Sequence, residues 1–313
     1  MPFMHNGLRA PARAATAACV PAAYRLAACV LGAAACLGTG AAAAADLFYG
    51  ADAGWFWDDN VTRAQARPDI LADSGLTAGG SLGLVLSARE RDSFAVGAEL
   101  RTRQYQRFHG LDMAGLGANV SYRMKFGLGA YAPRAAVSFA AGPERYGDSL
   151  RNGWRSRLAL ELGRRLNDRW DISGGYSVDR FDADNVLAPL PRFSRDVYSL
   201  QGRSLFARAE YTLSERWLAL LHLNFRRGDV LSSSRPGLPV FLASSDIAPD
   251  AAFGAGYFAY KLAGRTASAR LGASYALSPH SSLNLDLTRE VTVSEGPLGY
   301  RSTLGNATFV YSY

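Results

Sequence analysis

Apolar and polar residues alternate with a period of two through most of the chain after residue 45. In the segment 217–227, Leu221 and Leu223 fall on the apolar parity. His222 and Asn224 fall on the polar parity beside them. Successive side chains of a β-strand point to opposite faces, so this alternation predicts strands with one apolar face and one polar face.

The alternation comes in units of ten to twelve residues, and each unit is followed by a turn. Short polar turns, such as 89–92 and 167–169, alternate with long connections, such as 58–75, 181–201 and 228–250. Tight turns at one end and long loops at the other are typical of antiparallel barrels that span a membrane. The predicted strands, twelve in number, cover residues 47–57, 76–88, 94–106, 113–124, 131–141, 153–165, 170–181, 203–213, 217–227, 263–277, 282–293 and 300–313.

The segment 228–262 leaves a second strand count open. Residues 252–262 also alternate, and they either extend the tenth strand or pair with 238–246 as one more hairpin, which would make fourteen strands. We favour twelve, because 238–246 is short for the ~9–11 residues that a strand needs to cross a bilayer.

The placement of charge distinguishes a membrane barrel from a soluble one. Leu160 belongs to an apolar face free of charge, whereas its neighbour Glu161 belongs to the opposite face. Trp170 and Trp217 begin their strands directly after short turns, where membrane barrels carry a belt of aromatic residues. The predicted fold class is therefore all-β, a single up-and-down antiparallel transmembrane β-barrel.

The first 45 residues have the pattern of a secretory signal peptide. They contain three arginines and no acidic residue, continue in an apolar run over 26–37, and end in a small-residue tract that closes with Ala43, Ala44 and Ala45. This order predicts cleavage after Ala45. The apolar run is too short to anchor the chain across ~30 Å of hydrocarbon. We therefore expect a leader over 1–45 and a barrel domain over 46–313.

The final strand carries Phe309, Tyr311 and Tyr313 on its apolar face, and the last residue is one of these aromatics. In its leader, its strand rhythm and this ending, the chain resembles the outer-membrane β-barrel proteins of Gram-negative bacteria, without specifying a subfamily. The resemblance implies a location in the outer membrane and contact with its lipid and lipopolysaccharide. It also implies periplasmic chaperones and an assembly machinery that reads the three aromatics as a signal.

Cysteine usage and charge patterning exclude several kinds of site. All three cysteines lie within 1–45, so the barrel domain has no disulfide, thiolate metal site or cysteine nucleophile. No basic cluster is interleaved with aromatics in the way a nucleic-acid groove requires. We expect no cofactor, no bound metal and no nucleic-acid partner.

Catalysis has little support in the sequence. After residue 45 the histidines are His109, His222 and His280, and of these His222 alone falls on a polar parity within a strand. Neither the Ser–His arrangement of barrel lipid hydrolases nor the paired Asp and His of rim proteases is found, so we predict no catalytic residue. The motif 58–60 has too few oxygen ligands for calcium, and we interpret it as a solvated loop.

Charged side chains on the polar parity are the candidates for the lumen. They are Arg101, Arg103, Arg155, Arg157, Arg208, Arg226, Arg270, Glu99, Glu161, Glu210 and His222. Most of the arginines lie farther from the short turns than the acids do, which predicts a basic lumen near the long loops and an acidic lumen near the turns. Arginine–carboxylate pairs that fill the barrel and an arginine constriction that selects anions both fit this pattern.

The leading functional hypothesis is a passive, porin-like channel for small, anionic solutes. The chain has 34 basic residues, three of them in the leader, against 27 acidic ones, and Lys125 and Lys261 are its two lysines. Guanidinium groups stay charged and suit contact with anions. The alternative is a non-conducting barrel with a structural or export-associated role through its external loops or partners. An embedded lipid-modifying enzyme is the third and weakest hypothesis.

Overall fold

The computed structural model describes residues 44–89, 91–185, 196–294 and 298–313. The predicted signal peptide lies outside the described residues, except for its last two alanines, which begin the first strand. The strands are β1 (Ala44–Asp58), β2 (Asp73–Arg89), β3 (Asp92–Tyr105), β4 (Met113–Lys125), β5 (Arg134–Tyr146), β6 (Gly153–Arg165), β7 (Trp170–Ala183), β8 (Leu200–Thr212), β9 (Trp217–Ser234), β10 (Asp246–Pro249), β11 (Phe258–Ser278), β12 (Ser281–Ser294) and β13 (Gly299–Ser312). The helices are α1 (Leu238–Ala243) and single 3-10 turns at Arg67–Asp69, His109–Leu111, Ser149–Arg151 and Ala251–Phe253.

Twelve of these strands form a closed antiparallel barrel in chain order, with β9 paired directly to β11. The ring closes between β1 and β13, from Gly50 opposite Ser312 to Asp58 opposite Leu304. Closure pairs the backbone groups that would otherwise face lipid at two open edges. β10 pairs with β11 outside the ring. The predicted all-β, up-and-down barrel is confirmed.

The strand count of twelve is confirmed, and the fourteen-strand alternative is wrong. β11 is one strand of 21 residues that includes 258–262, and it pairs with β9 as far as Phe258 opposite Ser234. Residues 238–243 form the helix α1, with Pro239 in its first turn. Proline is well tolerated there because the first N–H groups of a helix have no partner within it.

The first residue of β1, Ala44, and the last residue of β13, Ser312, lie at one end of the barrel, which we call the proximal end, and the opposite end is the distal end. The proximal connections include 166–169 and 213–216, and the distal ones include 59–72 and 235–257. The predicted alternation of short and long connections fails at two places. The proximal connection 126–133 has eight residues, and the distal connection 295–298 has four.

The two faces of the barrel follow the predicted parity. Leu160, Leu223 and Leu285 point outward and are 52%, 46% and 48% exposed. Glu161 and Asp286 point inward from the same strands. No helix among the described residues is long and apolar enough to cross a membrane.

Aromatic rings surround the proximal end on the outer face. Three cross-strand pairs have ring centroids 4.7, 4.8 and 5.2 Å apart, namely Trp170–Tyr211, Trp217–Tyr275 and Tyr49–Tyr313. Amphipathic rings gather at membrane–water interfaces, so this belt marks the proximal boundary of the membrane-spanning region. The predicted positions of Trp170 and Trp217 agree with it.

Candidate functional site: the lumen and its distal cap

Large inward side chains lie along the barrel wall, over glycines of the neighbouring strand. The Arg226 guanidinium covers Gly202, and the Arg134 guanidinium lies 3.1 Å from where a Cβ atom of Gly163 would stand. A side chain can lie this close to the adjacent strand because glycine has no Cβ atom. The inward glycines thereby let a narrow barrel hold large residues against its wall.

Solvent reaches the inner wall at several heights. Ser81, Ser138, Arg157 and Arg270 all point inward and are exposed. In a closed barrel, exposure on the inward parity means exposure to the lumen. The middle of the barrel is therefore hydrated rather than packed.

Six of the seven predicted lumen arginines have a partner in the wall. Arg157 donates to the Ser177 hydroxyl at 3.3 Å and Arg270 to the Thr288 hydroxyl at 3.2 Å. The other four contacts are Arg101 with Glu99 at 3.1 Å, Arg155 with Glu144 at 2.7 Å, Arg226 with Asp179 at 3.0 Å, and Arg103 at 4.0 Å above the ring of Phe56. Arg155 and Arg226 each use two nitrogen atoms toward one carboxylate, the fork geometry that makes such pairs strong.

Three of the seven predicted arginines gather around His222. Arg208 and Arg270 stand directly opposite it on the ladders to β8 and β11, and Arg157 also acts electrostatically on its ring. Asp286 is 3.7 Å from Arg270. Three cations on one wall of a narrow lumen create a positive potential there.

The predicted separation of charge along the lumen is wrong. Glu144, Asp179 and Glu290 lie in the distal half, next to arginines. Arg134 lies in the proximal half and pairs with Asp171 at 2.6 Å. Arginines and carboxylates lie at the same level because the attraction within each pair offsets the cost of removing the two charges from water.

The two predicted acids nearest the proximal end take no part in the ion pairs of the wall. Among the described residues, Glu161 and Glu210 form no salt bridge, although both act electrostatically on Arg134. Glu161 and Arg134, with Arg123 and Ser138, line an inward cavity of about 160 Å³. This cavity offers donors and acceptors side by side in the lumen.

Several functional residues were missed at the sequence level. Asp179 and Arg134 fall within the predicted strands 170–181 and 131–141, where the same two-residue parity would have placed them inward. Glu144 could not be found in this way, because β5 continues to Tyr146, past the predicted end of the strand.

The distal end of the lumen is filled by protein. Phe56, Thr292 and Ser302 point inward there, and each is at most 1% exposed. The segment 59–72, which connects β1 to β2, supplies buried side chains at the same level, among them Asn60. The hydrated middle of the barrel therefore does not continue to the distal end.

The segment 59–72 bridges separate strands of the ring. The Asn60 side-chain amide donates to the carbonyl of Arg301 on β13 at 3.1 Å. The Thr62 carbonyl accepts from the N–H of Ser233 on β9 at 2.8 Å. Since β11 and β12 lie between β9 and β13, the segment crosses the barrel mouth from one to the other.

The expectation of a solvated loop at 58–60 is wrong for two of its residues. Asp58 and Asn60 are buried, and Asp58 accepts a charge-assisted hydrogen bond from Arg63 at 2.8 Å. Burial opposes the charge of Arg63, but Asp58 and Glu290 more than offset it, so the pKa of Arg63 is raised. Among the described residues no group of three His, Cys, Asp or Glu side chains could hold a metal ion.

The distal connections pack together into one layer, which we call the distal cap. It consists of residues 59–72, 106–112, 147–152, 196–199 and 235–257. One apolar cluster contains Leu111, Ala252, Phe253 and Tyr257 with Val61, Leu71, Tyr105 and Phe108. A second contains Val197, Tyr198, Ala248 and Ala259 with Leu150, Ala183 and Leu231.

A buried ion pair joins the connections of the cap. Arg151 donates to Asp250 at 2.6 Å, and their side chains are 11% and 0% exposed. The guanidinium of Arg151 also lies 4.8 Å above the ring of Tyr198. Burial opposes the charge of Arg151, but the Asp250 carboxylate more than offsets it, and the pKa of Arg151 is raised.

The closed ring of twelve strands, the apolar outer face, the aromatic belt and the polar lumen define an outer-membrane β-barrel protein. In structure the chain is similar to an outer-membrane channel from Pseudomonas putida F1, with a TM-score of 0.52 at 11% identity over 88% of this chain and 98% of that chain. No protein-family model and no curated protein matches it in sequence.

Weaker similarities point to further barrels. One is the KdgM porin in complex with disordered oligogalacturonate, with a TM-score of 0.43 at 12% identity over 84% of this chain and 99% of that chain. Another is the outer-membrane channel DcaP of Acinetobacter baumannii, with a TM-score of 0.43 at 8% identity over 88% of this chain and 99% of that chain. At these identities the common feature is the barrel fold.

Proposed function

We propose that the protein is a porin-like channel for small polar solutes, closed at one mouth by the distal cap. The observation that carries the proposal is the way large inward side chains lie flat on glycines, as Arg226 lies over Gly202. This arrangement keeps bulky groups out of the centre and leaves a hydrated passage in the middle of the barrel.

The channel would sit in the outer membrane, with both chain termini in the periplasm and the distal cap at the cell surface. The aromatic belt at the proximal end and the short turns there support this orientation. The predicted leader over 1–45 would direct the chain to the periplasm and be removed there. Solutes would then enter only when the cap opens.

We also propose that the channel prefers anions. Arg157, Arg208 and Arg270 around His222 place positive charge on one wall, and Arg270 is exposed to the lumen. A ring of fixed charge in a narrow pore attracts ions of the opposite sign. Small carboxylates and phosphates are the solutes that such a wall suits best.

Conductance in planar bilayers tests the proposal. We expect the wild-type protein to conduct in brief openings and the double variant Arg151→Ala, Asp250→Ala to stay open longer, because it lacks the ion pair within the cap. The double variant Arg145→Ala, Asp184→Ala, which removes an ion pair with both side chains almost half exposed, is the matched control. Absence of conductance from correctly folded wild-type and variant barrels would overturn the proposal.

The second candidate is a non-conducting barrel that acts through its external surface. The packed distal cap, with its two apolar clusters, favours it. On this view the cap is a permanent lid and a platform for partners. If variants with a loosened cap, such as Arg151→Ala with Asp250→Ala, fold normally and show no conductance in bilayers, the non-conducting barrel is favoured.

A further inference from the structure

Three arginines that take no part in the lumen form a row on the outer face, toward the distal end. Arg203 of β8 stands opposite Arg227 of β9, and Arg227 stands opposite Arg265 of β11. All three are exposed. Among the described residues, none of the three has a salt bridge or a side-chain hydrogen bond.

This row carries more positive charge than the chain neutralises locally, and an anion from outside the protein would stabilise it. Like charges directly opposite each other on neighbouring strands destabilise a sheet. Elsewhere on the same outer rim the chain supplies its own partners. Arg145 pairs with Asp184 at 2.5 Å, and Arg180 pairs with Asp182 at 2.8 Å.

Beside the row the chain supplies Asp229, two positions from Arg227 on the same face, but its carboxylate accepts from the Gln201 N–H at 2.9 Å and forms no salt bridge with any of the three arginines. Three guanidinium groups thus face one carboxylate, and this excess of positive charge distinguishes the row from the paired arginines elsewhere on the rim.

An apolar groove adjoins the row on its proximal side. Leu205, Phe225 and Ala267 each follow or precede an arginine of the row by two positions, so they share its outward face. The groove has a volume of about 550 Å³, and its outward lining residues are Leu205, Ala207, Leu223, Phe225, Ala267, Ala269, Arg289 and Val291. The alanines form its floor, because larger leucine, phenylalanine and valine side chains stand around them.

The geometry points to a phosphorylated glycolipid of the outer leaflet, the lipid A part of lipopolysaccharide, as the occupant. The planar guanidinium fork of arginine matches phosphate oxygens, and three forks in a row suit a headgroup with more than one phosphate. The groove begins only about 7 Å away, two residues along a strand, so one molecule can place a phosphate on the row and an acyl chain in the groove. This site depends on the proposed outer-membrane location but not on conduction.

A lipid fits these observations better than a protein partner or a free anion. The groove lies on the lipid-facing parity, the same outer face that carries Leu223 and Leu271. A soluble anion would use the arginines but leave the groove unoccupied. An apolar protein segment would use the groove but leave the excess positive charge of the row uncompensated.

Binding by the folded, lipid-free barrel in detergent tests the inference. Native mass spectrometry would follow titrations with bisphosphorylated lipid A, dephosphorylated lipid A and inorganic phosphate. We expect bisphosphorylated lipid A to bind the wild type, and the triple variant Arg203→Ser, Arg227→Ser, Arg265→Ser to bind it about tenfold more weakly or worse. Dephosphorylated lipid A should bind the wild type as weakly as this variant binds the bisphosphorylated form.

A second variant tests the contribution of the acyl chain separately from that of the headgroup. Ala207→Phe with Ala269→Phe fills the groove and leaves the arginines in place, and it should weaken lipid A binding as well. Arg145→Ser with Arg180→Ser, which removes two arginines that already have partners, is the matched control and should bind like wild type. All four proteins are checked for heat-modifiable migration, so that misfolding is not read as lost binding.

Two results would overturn the inference. One is unchanged affinity for bisphosphorylated lipid A in either the triple variant or the groove-filling variant. The other is displacement of lipid A by inorganic phosphate at comparable concentration, which would make the row a general anion site. Because binding is measured without any current, its failure is distinguishable from failure of the proposed channel function.

Discussion

The Arg151 guanidinium donates to the Asp250 carboxylate over 2.6 Å, although the two residues lie 99 positions apart in the chain. The pair joins the connection after β5 to the connection after β10, and both side chains are buried within the distal cap. Removing one partner of such a pair leaves an uncompensated charge away from water. The pair therefore couples the cap connections more tightly than surface contacts could.

Asp250→Ala should loosen the cap without unfolding the barrel. The variant removes the closest carboxylate of the buried Arg151 and leaves it with Asp148 alone, at 3.9 Å. The cost to the closed cap should approach the value of about 3–5 kcal/mol for a buried charge that has lost its partner. Hydrogen exchange at 59–72 and 235–257 should speed up, while exchange in the barrel strands stays unchanged. Asp184→Ala, which removes the partner of the half-exposed Arg145, is the control and should leave exchange in both segments as it is. Unchanged exchange in the Asp250 variant would contradict the role of the pair.

The cap should also weaken at high pH, through Tyr198. Burial raises the pKa of the Tyr198 phenol in the folded cap, whereas an exposed tyrosine titrates near ~10. The neutral phenol is thus favoured in the closed cap, so its stabilisation is complete below about pH 10 and declines as the pH rises further. Cleavage of 235–257 by an alkaline-active protease should accelerate over that range. In Tyr198→Phe the added acceleration should be absent, and an identical pH profile for both proteins would contradict this expectation.

The barrel was predictable because its signal is local. The alternation of Leu221 and Leu223 with His222 and Asn224 depends only on the two faces of one strand, and each strand repeats it. The segment 252–262 was ambiguous for the same reason. Its period fits either a new strand or an extension, and only its pairing with Val230–Ser234 decides between them.

The cap and the ion pairs were not predictable from periodicity. Arg151 and Asp250 lie in irregular connections, where no repeat relates a residue to its neighbours in space. The same holds for the buried Asn60, which bonds to Arg301 from the other end of the chain. The predicted division into a basic and an acidic lumen failed because parity gives the face of a residue but not its partner, such as Asp179 for Arg226.

Anion preference should depend on the three arginines around His222, none of which binds a carboxylate with two nitrogen atoms. The triple variant Arg157→Ser, Arg208→Ser, Arg270→Ser removes the cations around His222 and should lower the permeability ratio of anions over cations, seen as a shift in reversal potential in a salt gradient. The shift should be largest at low ionic strength, where screening is weakest.

The matched control for selectivity removes both members of two neutral pairs, Arg155→Ser with Glu144→Gln and Arg226→Ser with Asp179→Asn. The net charge of the lumen then stays as it is, so selectivity should change little, whereas the loss of two ion pairs from the wall should lower the melting temperature. A triple variant with wild-type reversal potential would mean that the His222 wall does not contact the permeating ions.

Neighbouring residues of one strand should differ strongly in their tolerance of polar substitution. Leu221→Arg and Leu285→Arg place a cation on the outer face and should cost roughly 2–4 kcal/mol near the bilayer midplane. His222→Gln, on the inner face beside Leu221, should cost far less. Urea unfolding of the barrels in lipid vesicles measures the difference. Equal losses at Leu221 and His222 would be incompatible with the assigned faces.

The last strand should be essential for closing the ring. Tyr49 and Tyr313 exchange two backbone hydrogen bonds, of 3.1 and 2.9 Å, and their rings stack with centroids 5.2 Å apart. Deleting 309–313 removes the ladder from Gly50 to Ala53 and opens two edges, whose unpaired backbone groups each cost several kcal/mol in lipid. We expect the truncated chain to give no heat-modifiable protein in the outer membrane. Tyr313→Phe keeps both the ring and the backbone bonds and should assemble normally, whereas Tyr313→Ser should assemble poorly. Normal assembly of the truncated chain would show that β1 and β13 can close the barrel without these residues.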